Sequence, residues 1–192
     1  MSDLLDEQGL GDYIDAHYRN RGDHLFRMER LPWYDVPSQN ADRQAFLAGR
    51  APDWDRKQQW LDVLADDARN GLVSQRVRVF SARLNDDELM SCHYGYPFTG
   101  RYEDVRVLRA GEHPQVQQLE LDHDYWVIQP VGGPVSVLRM HYTAGGAFEG
   151  ASVVSPGDQE PYLSEKQIAW KYAEPFAQWW ARHPELHRSL AA

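Results

Sequence analysis

Asp122-His123-Asp124 is the cluster of titratable side chains best suited to chemistry. Two carboxylates around an imidazole could bind a divalent cation or carry acid–base chemistry, so Asp122, His123 and Asp124 are the candidate catalytic residues. Neighbours on an extended chain point to opposite sides, however, so the three converge only where the backbone bends. A turn that starts a strand accounts for the triplet more simply, and no metal or cofactor is expected. Cys92 is the sole cysteine and has His93 beside it. Adjacent helical positions face different directions, which makes Cys92 a small buried hydrophobe rather than an activated nucleophile. His93 and His141 read as structural or surface histidines. A phosphate-cradling loop ending in Lys-Ser or Lys-Thr, a Gly-x-Ser-x-Gly elbow and a His-Glu-x-x-His helix are all missing from the sequence.

A second set of residues is distributed. If the apolar faces of the strands align, the opposite side collects Arg27, Glu29, Arg76, Arg78, Arg106, Arg139 and His141. Such a strip could receive a carboxylate, a phosphate or an acidic peptide through forked guanidinium contacts. A solvated sheet face with weak cross-strand pairs is the plainer alternative. The strip depends on register, since a slip of one residue sends every side chain to the other face. Aromatic residues near Trp33, Tyr34 and Trp126 are further contact candidates. The strip predicts that Arg76→Ala with Arg78→Ala weakens binding while the domain stays folded.

These residues need a scaffold. Tyr125–Gln129 and Val135–Tyr142, rich in aromatic and β-branched residues and joined by a Pro/Gly turn, predict a β-hairpin with Trp126, Ile128, Leu138, Met140 and Tyr142 on one face. Leu25–Leu31, Leu72–Phe80, Val105–Leu108 and Ala147–Val154 predict further strands. Asp53 caps a helix over 54–70 that Gly71 ends, and Asn85 caps another reaching about Tyr94. Ser38 is expected to cap a short helix through Leu47, and Ser164 with Gln167 to form a capping box for a closing helix to about His183, divided at Pro175. Residues 1–22 are expected as an N-terminal helical arm and 23–186 as one α+β domain, a mixed, mostly antiparallel sheet with helices packed on one side.

With 192 residues, seven tryptophans and ten tyrosines the chain can bury a real core. A net charge of −9 argues against direct nucleic-acid binding, which needs clustered cations. The acidic start and the lack of a long apolar run predict a cytoplasmic protein that does not enter the membrane.

Placed in order, Phe26-Arg27-Met28-Glu29 with Tyr34, Phe46-Leu47-Ala48-Gly49, Arg76-Val77-Arg78-Val79, Gly111-Glu112 and Asp124-Tyr125-Trp126 resemble an actinobacterial family of domains of unknown function, in which the last motif reads Asp-Phe-Trp. The resemblance spans roughly residues 24–182. Its members are commonly associated with Xre-type helix-turn-helix regulators, which implies a regulatory or accessory role and no established reaction. The N-terminal arm and the Pro156–Tyr162 loop depart from a compact member. The expected function is a non-catalytic accessory protein that binds a protein partner, such as a transcriptional regulator, or a small anionic ligand. The alternative is an enzyme of a specialised metabolic pathway built on the His/Asp cluster.

Overall fold

Two β-α-β crossovers and a three-stranded antiparallel meander build one seven-stranded sheet. The computed structural model describes residues 4–188; the first three residues of the expected arm lie outside this range. In chain order the elements are α1 (Glu7–His17), β1 (His24–Glu29), α2 (Asn40–Leu47), α3 (Trp54–Asn70), β2 (Val73–Phe80), α4 (Asp86–Tyr94), α5 (Tyr96–Thr99), β3 (Asp104–Arg109), β4 (Tyr125–Gln129), β5 (Ser136–Tyr142), β6 (Phe148–Val153), α6 (Glu160–Tyr172), β7 (Glu174–Pro175) and α7 (Phe176–Ala181). The strands lie in the order β6-β5-β4-β1-β2-β3-β7. β1, β2 and β3 are parallel neighbours, because helices separate them in sequence; the other pairings are antiparallel. This is the α+β, mixed and mostly antiparallel architecture that the pattern of elements predicts.

The helices cover both sides of the sheet, not one. Leu25 and Phe26 are neighbours in β1 and therefore point to opposite faces, yet both are buried. Phe26, Met28, Val77, Val79 and Tyr125 pack with Ala169 of α6 on the first face. On the second, Leu25, Ile128 and Leu138 pack with Leu10 of α1, while Phe80, Val105 and Val107 meet Met90 and Cys92 of α4 and Trp179 of α7. A central parallel strand has to be apolar on both sides, and the β1 sequence Leu-Phe-Arg-Met is apolar at three of four positions. α1 is no free arm: Leu5 exchanges backbone hydrogen bonds with Ala151, extending the β6 edge.

Local signals set most boundaries. Asp53 accepts from the Arg56 N–H, and Gly71 ends α3 with φ of 79°, a left-handed conformation that glycine takes without strain. Asn85 and Glu88 form a reciprocal capping box on α4. Two expected caps fail. Ser38 falls inside a short 3-10 turn and α2 starts beyond it without a side-chain cap. Ser164 lies inside α6, which begins near Pro161, a residue whose missing N–H costs nothing in a first turn. Pro175 does divide the closing helix, and the Glu174–Pro175 interruption pairs with β3.

Candidate functional site

The pairing register divides the expected cationic strip between the two faces. Arg27 lies opposite Arg76 and Trp126, so Arg27, Glu29, Arg76 and Arg78 share the second face. Arg76 pairs with Val105, which puts Arg106 on the first face, and Trp126 pairs with Leu138, which puts Arg139 and His141 there too. Arg106 lies 3.9 Å from the Trp170 ring and bonds to Asp104. A continuous strip would need the guanidiniums to fall at the same parity in all four strands, and they do not.

Of the four residues that do meet, Glu29 and Arg76 line the floor of a half-open cavity of about 500 Å³ between the sheet and helices α2–α5, and Arg27 and Arg78 lie outside its lining. Glu103, in the turn before β3, holds this floor together. It accepts from Arg27 at 3.1 Å and from Arg76 at 3.3 Å, and Arg76 also pairs with Glu29. Burial alone would raise the Glu103 carboxyl; Arg76 and Arg27 outweigh it and hold the group below the ordinary glutamate value. Arg27 also sits over the Trp126 ring at 5.2 Å. Arg76 is therefore a structural cation as much as a ligand contact, and Arg78, buried outside the lining, is a structural cation alone. The Arg76→Ala, Arg78→Ala double variant would leave Glu29 and Glu103 undercompensated and take a donor from Tyr34, so it tests folding before binding.

Arg78 is 2 % exposed and donates to the Tyr34 hydroxyl at 3.0 Å; Tyr34 in turn donates to Asp124 Oδ2 at 2.5 Å. Asp124 Oδ1 accepts from the backbone N–H groups of Arg30 at 2.7 Å and Leu31 at 3.3 Å. Asp124 thus pins the chain leaving β1. Its carboxyl is raised by burial, an effect that the Tyr34 and Arg30 hydrogen bonds only partly offset. Tyr34, Trp60, Tyr94, Tyr96 and Tyr142 supply aromatic wall. Burial lifts the Tyr34, Tyr96 and Tyr142 phenols far above the ordinary range, so they are protonated donors at neutral pH. On the helix side, Asp42 bridges Arg56 at 2.6 Å and Lys57 at 3.1 Å.

The other candidates line a more open groove of about 400 Å³ beside the cavity, across the Tyr142 side chain: Asp122, His123, Arg139 and His141, with Trp33 and Glu149. The carboxylates of the Asp122-His123-Asp124 triplet do not converge. Asp122 is 94 % exposed while Asp124 turns inward. Both His123 nitrogens are occupied, Nδ1 by Asp122 at 2.9 Å and Nε2 by the Tyr162 hydroxyl at 3.1 Å. His141 bonds to Ser152 at 2.8 Å, and burial, then Arg139 and His123, lower its pKa. The groove is shaped by a latch: Trp33 Nε1 donates to Gly145 O, and a side chain on Gly146, whose φ is 85°, would strike the indole.

Cys92 is buried, with its thiol pushed upward by desolvation, which leaves it inert. His93 lies 3.3 Å from Leu186 O. Among the described residues Glu112, His113 and Glu174 sit close enough to share a cation. The Arg182 guanidinium already bridges the two carboxylates, and His113 Nδ1 accepts the Arg109 N–H at 3.0 Å. That cluster is built as an ion pair.

Sequence reasoning missed Glu103, Asp42, Tyr96 and Trp60. Glu103 falls in a turn, where no periodicity marks the direction of a side chain; the only hint was an acidic residue directly before the strand flanking Arg76. No curated protein and no solved structure matches the chain. One family model does match it, over residues 12–181, taking in most of α1 and everything through α7. On that span the chain belongs to the family described as a domain of unknown function, DUF6879.

Proposed function

We propose that the chain is a non-catalytic binding protein whose ligand is a small molecule held in the cavity between β1, β2 and helices α2–α5. The carrying observation is the wall itself. A half-open space of about 500 Å³ is lined by five aromatic side chains and a fixed ion-pair network, the combination of apolar surface and few positioned charges that small-molecule sites use. Its phenols are protonated and its carboxylates paired, so the site recognises without a group poised as nucleophile or base. The groove supports the enzymatic alternative less well, because His123 has both nitrogens engaged.

As a sensor, the protein would report occupancy through the segment that Asp124 and Tyr34 hold against the cavity. The family resemblance read from the sequence suggests an Xre-type regulator in an actinobacterial cytoplasm as the listener. Native mass spectrometry of the purified chain tests the cavity. A co-purifying small molecule should be carried by the natural chain and lost on Ser91→Phe or Ser38→Trp, each of which fills the cavity from a different wall. Retention of the molecule in both folded variants contradicts the proposal.

A further inference from the structure

The charges in the cavity wall are segregated by sign, and this specifies the ligand further. On the sheet side, Glu29 and Glu103 face a single lining guanidinium, Arg76; Arg27 reaches Glu103 from outside the cavity. Glu29 engages Arg76 through Oε1, and its Oε2 has no hydrogen bond among the described residues. The Tyr96 and Tyr142 hydroxyls, also in this wall, likewise have no protein partner among the described residues. On the helix side the balance reverses, with Arg56 and Lys57 sharing one carboxylate, Asp42. The aromatic side chains lie in the walls of the same space, with Lys57 Nζ 5.9 Å from the Tyr94 ring centroid.

We infer that the ligand is an aromatic zwitterion of amino-acid type: its ammonium group meets Glu29 and the Tyr96 and Tyr142 oxygens, its carboxylate meets Arg56 and Lys57, and its ring lies among the aromatic walls. This rests on the cavity being the ligand site. A purely anionic molecule would set its charge against Glu29 on one side. A purely cationic one would face Arg56 and Lys57 on the other, and each like-charge contact in a partly buried site is unfavourable. A zwitterion satisfies both ends at once. The notion of a small anion, natural for a strip of arginines, gives way because Glu103 and Glu29 neutralise those arginines from within.

Calorimetry with the full chain at neutral pH separates the alternatives using three probes that share a ring: L-tryptophan, tryptamine and indole-3-propionate. L-Tryptophan should bind at least about tenfold more tightly than either singly charged probe, a gap of about 1.4 kcal/mol. Glu29→Gln should weaken L-tryptophan and tryptamine and leave indole-3-propionate unchanged; Lys57→Gln should weaken L-tryptophan and indole-3-propionate and leave tryptamine unchanged. Equal or tighter binding of either singly charged probe, lost on Ser91→Phe, overturns the zwitterion and keeps the cavity. Probe binding that survives in folded Ser91→Phe and Ser38→Trp overturns both. Failure of all three probes to bind overturns the zwitterion, and the co-purified molecule then decides the cavity.

Discussion

The cavity and the groove lie on either side of Tyr142 and are built from neighbouring residues, yet one is floored by an ion-pair network and the other is a collection of single groups. The chain separates them by alternation. Trp33 faces the groove and Tyr34 the cavity; His123 faces the groove and Asp124 the interior. Residues adjacent in sequence therefore entered different environments, whereas residues from strands far apart in sequence met. Proximity in sequence is a poor guide to a site in a sheet, and parity of position is a better one.

The largest effect that should distinguish the two regions comes from Glu103. Glu103→Ala leaves Arg27 and Arg76 undercompensated in the interior and should cost about 3–5 kcal/mol in urea unfolding. A loss no larger than that of an exposed-residue variant would mean that the floor is wetter and looser than described. Asp124→Ala removes the acceptor for Tyr34 and for two backbone N–H groups and should cost about 2–3 kcal/mol, measured in the same way.

Acid should separate the regions in smaller steps. His141 is held below the ordinary 6.5 in the folded protein, so its contribution is complete above that value and is lost as pH falls through the folded pKa. His93 behaves in the same sense. Glu103 is held below 4.5, so its contribution survives the histidine window and goes only at lower pH. Asp124, raised in the fold, works in the opposite sense as it protonates. Thermal midpoints against pH should therefore show a first decline that His141→Gln reduces and a second, deeper one that Glu103→Gln reduces. The smallest effect belongs to Asp122→Ala, at a side chain 94 % exposed, which should leave the unfolding midpoint unchanged.

Much of the scaffold was legible because its signals are local. The hairpin of β4 and β5, the α3 boundaries at Asp53 and Gly71, and the Asn85 capping box depend on a few adjacent residues. The site depended on register between strands separated by whole helices, and nothing in β2 or β3 alone says whether Arg76 lies beside Val105 or Arg106. The helix caps at Ser38 and Ser164 failed for a related reason: each had a competing start signal, Pro37 and Pro161, that fixed the first turn elsewhere. The Arg27–Arg76 pairing was foreshadowed by the parity of the two strands, but the carboxylate that makes it tolerable came from a turn.

The methionine methyl groups offer the most direct test of which region binds. Met90 lines the cavity, Met140 lines the groove, and Met28 is sealed in the core on the other face of the sheet. In a ¹³C-methyl spectrum titrated with L-tryptophan, the Met90 resonance should shift in proportion to occupancy while Met28 and Met140 stay in place. A shift at Met140 with Met90 unmoved would put the ligand in the groove and contradict the assignment of the cavity.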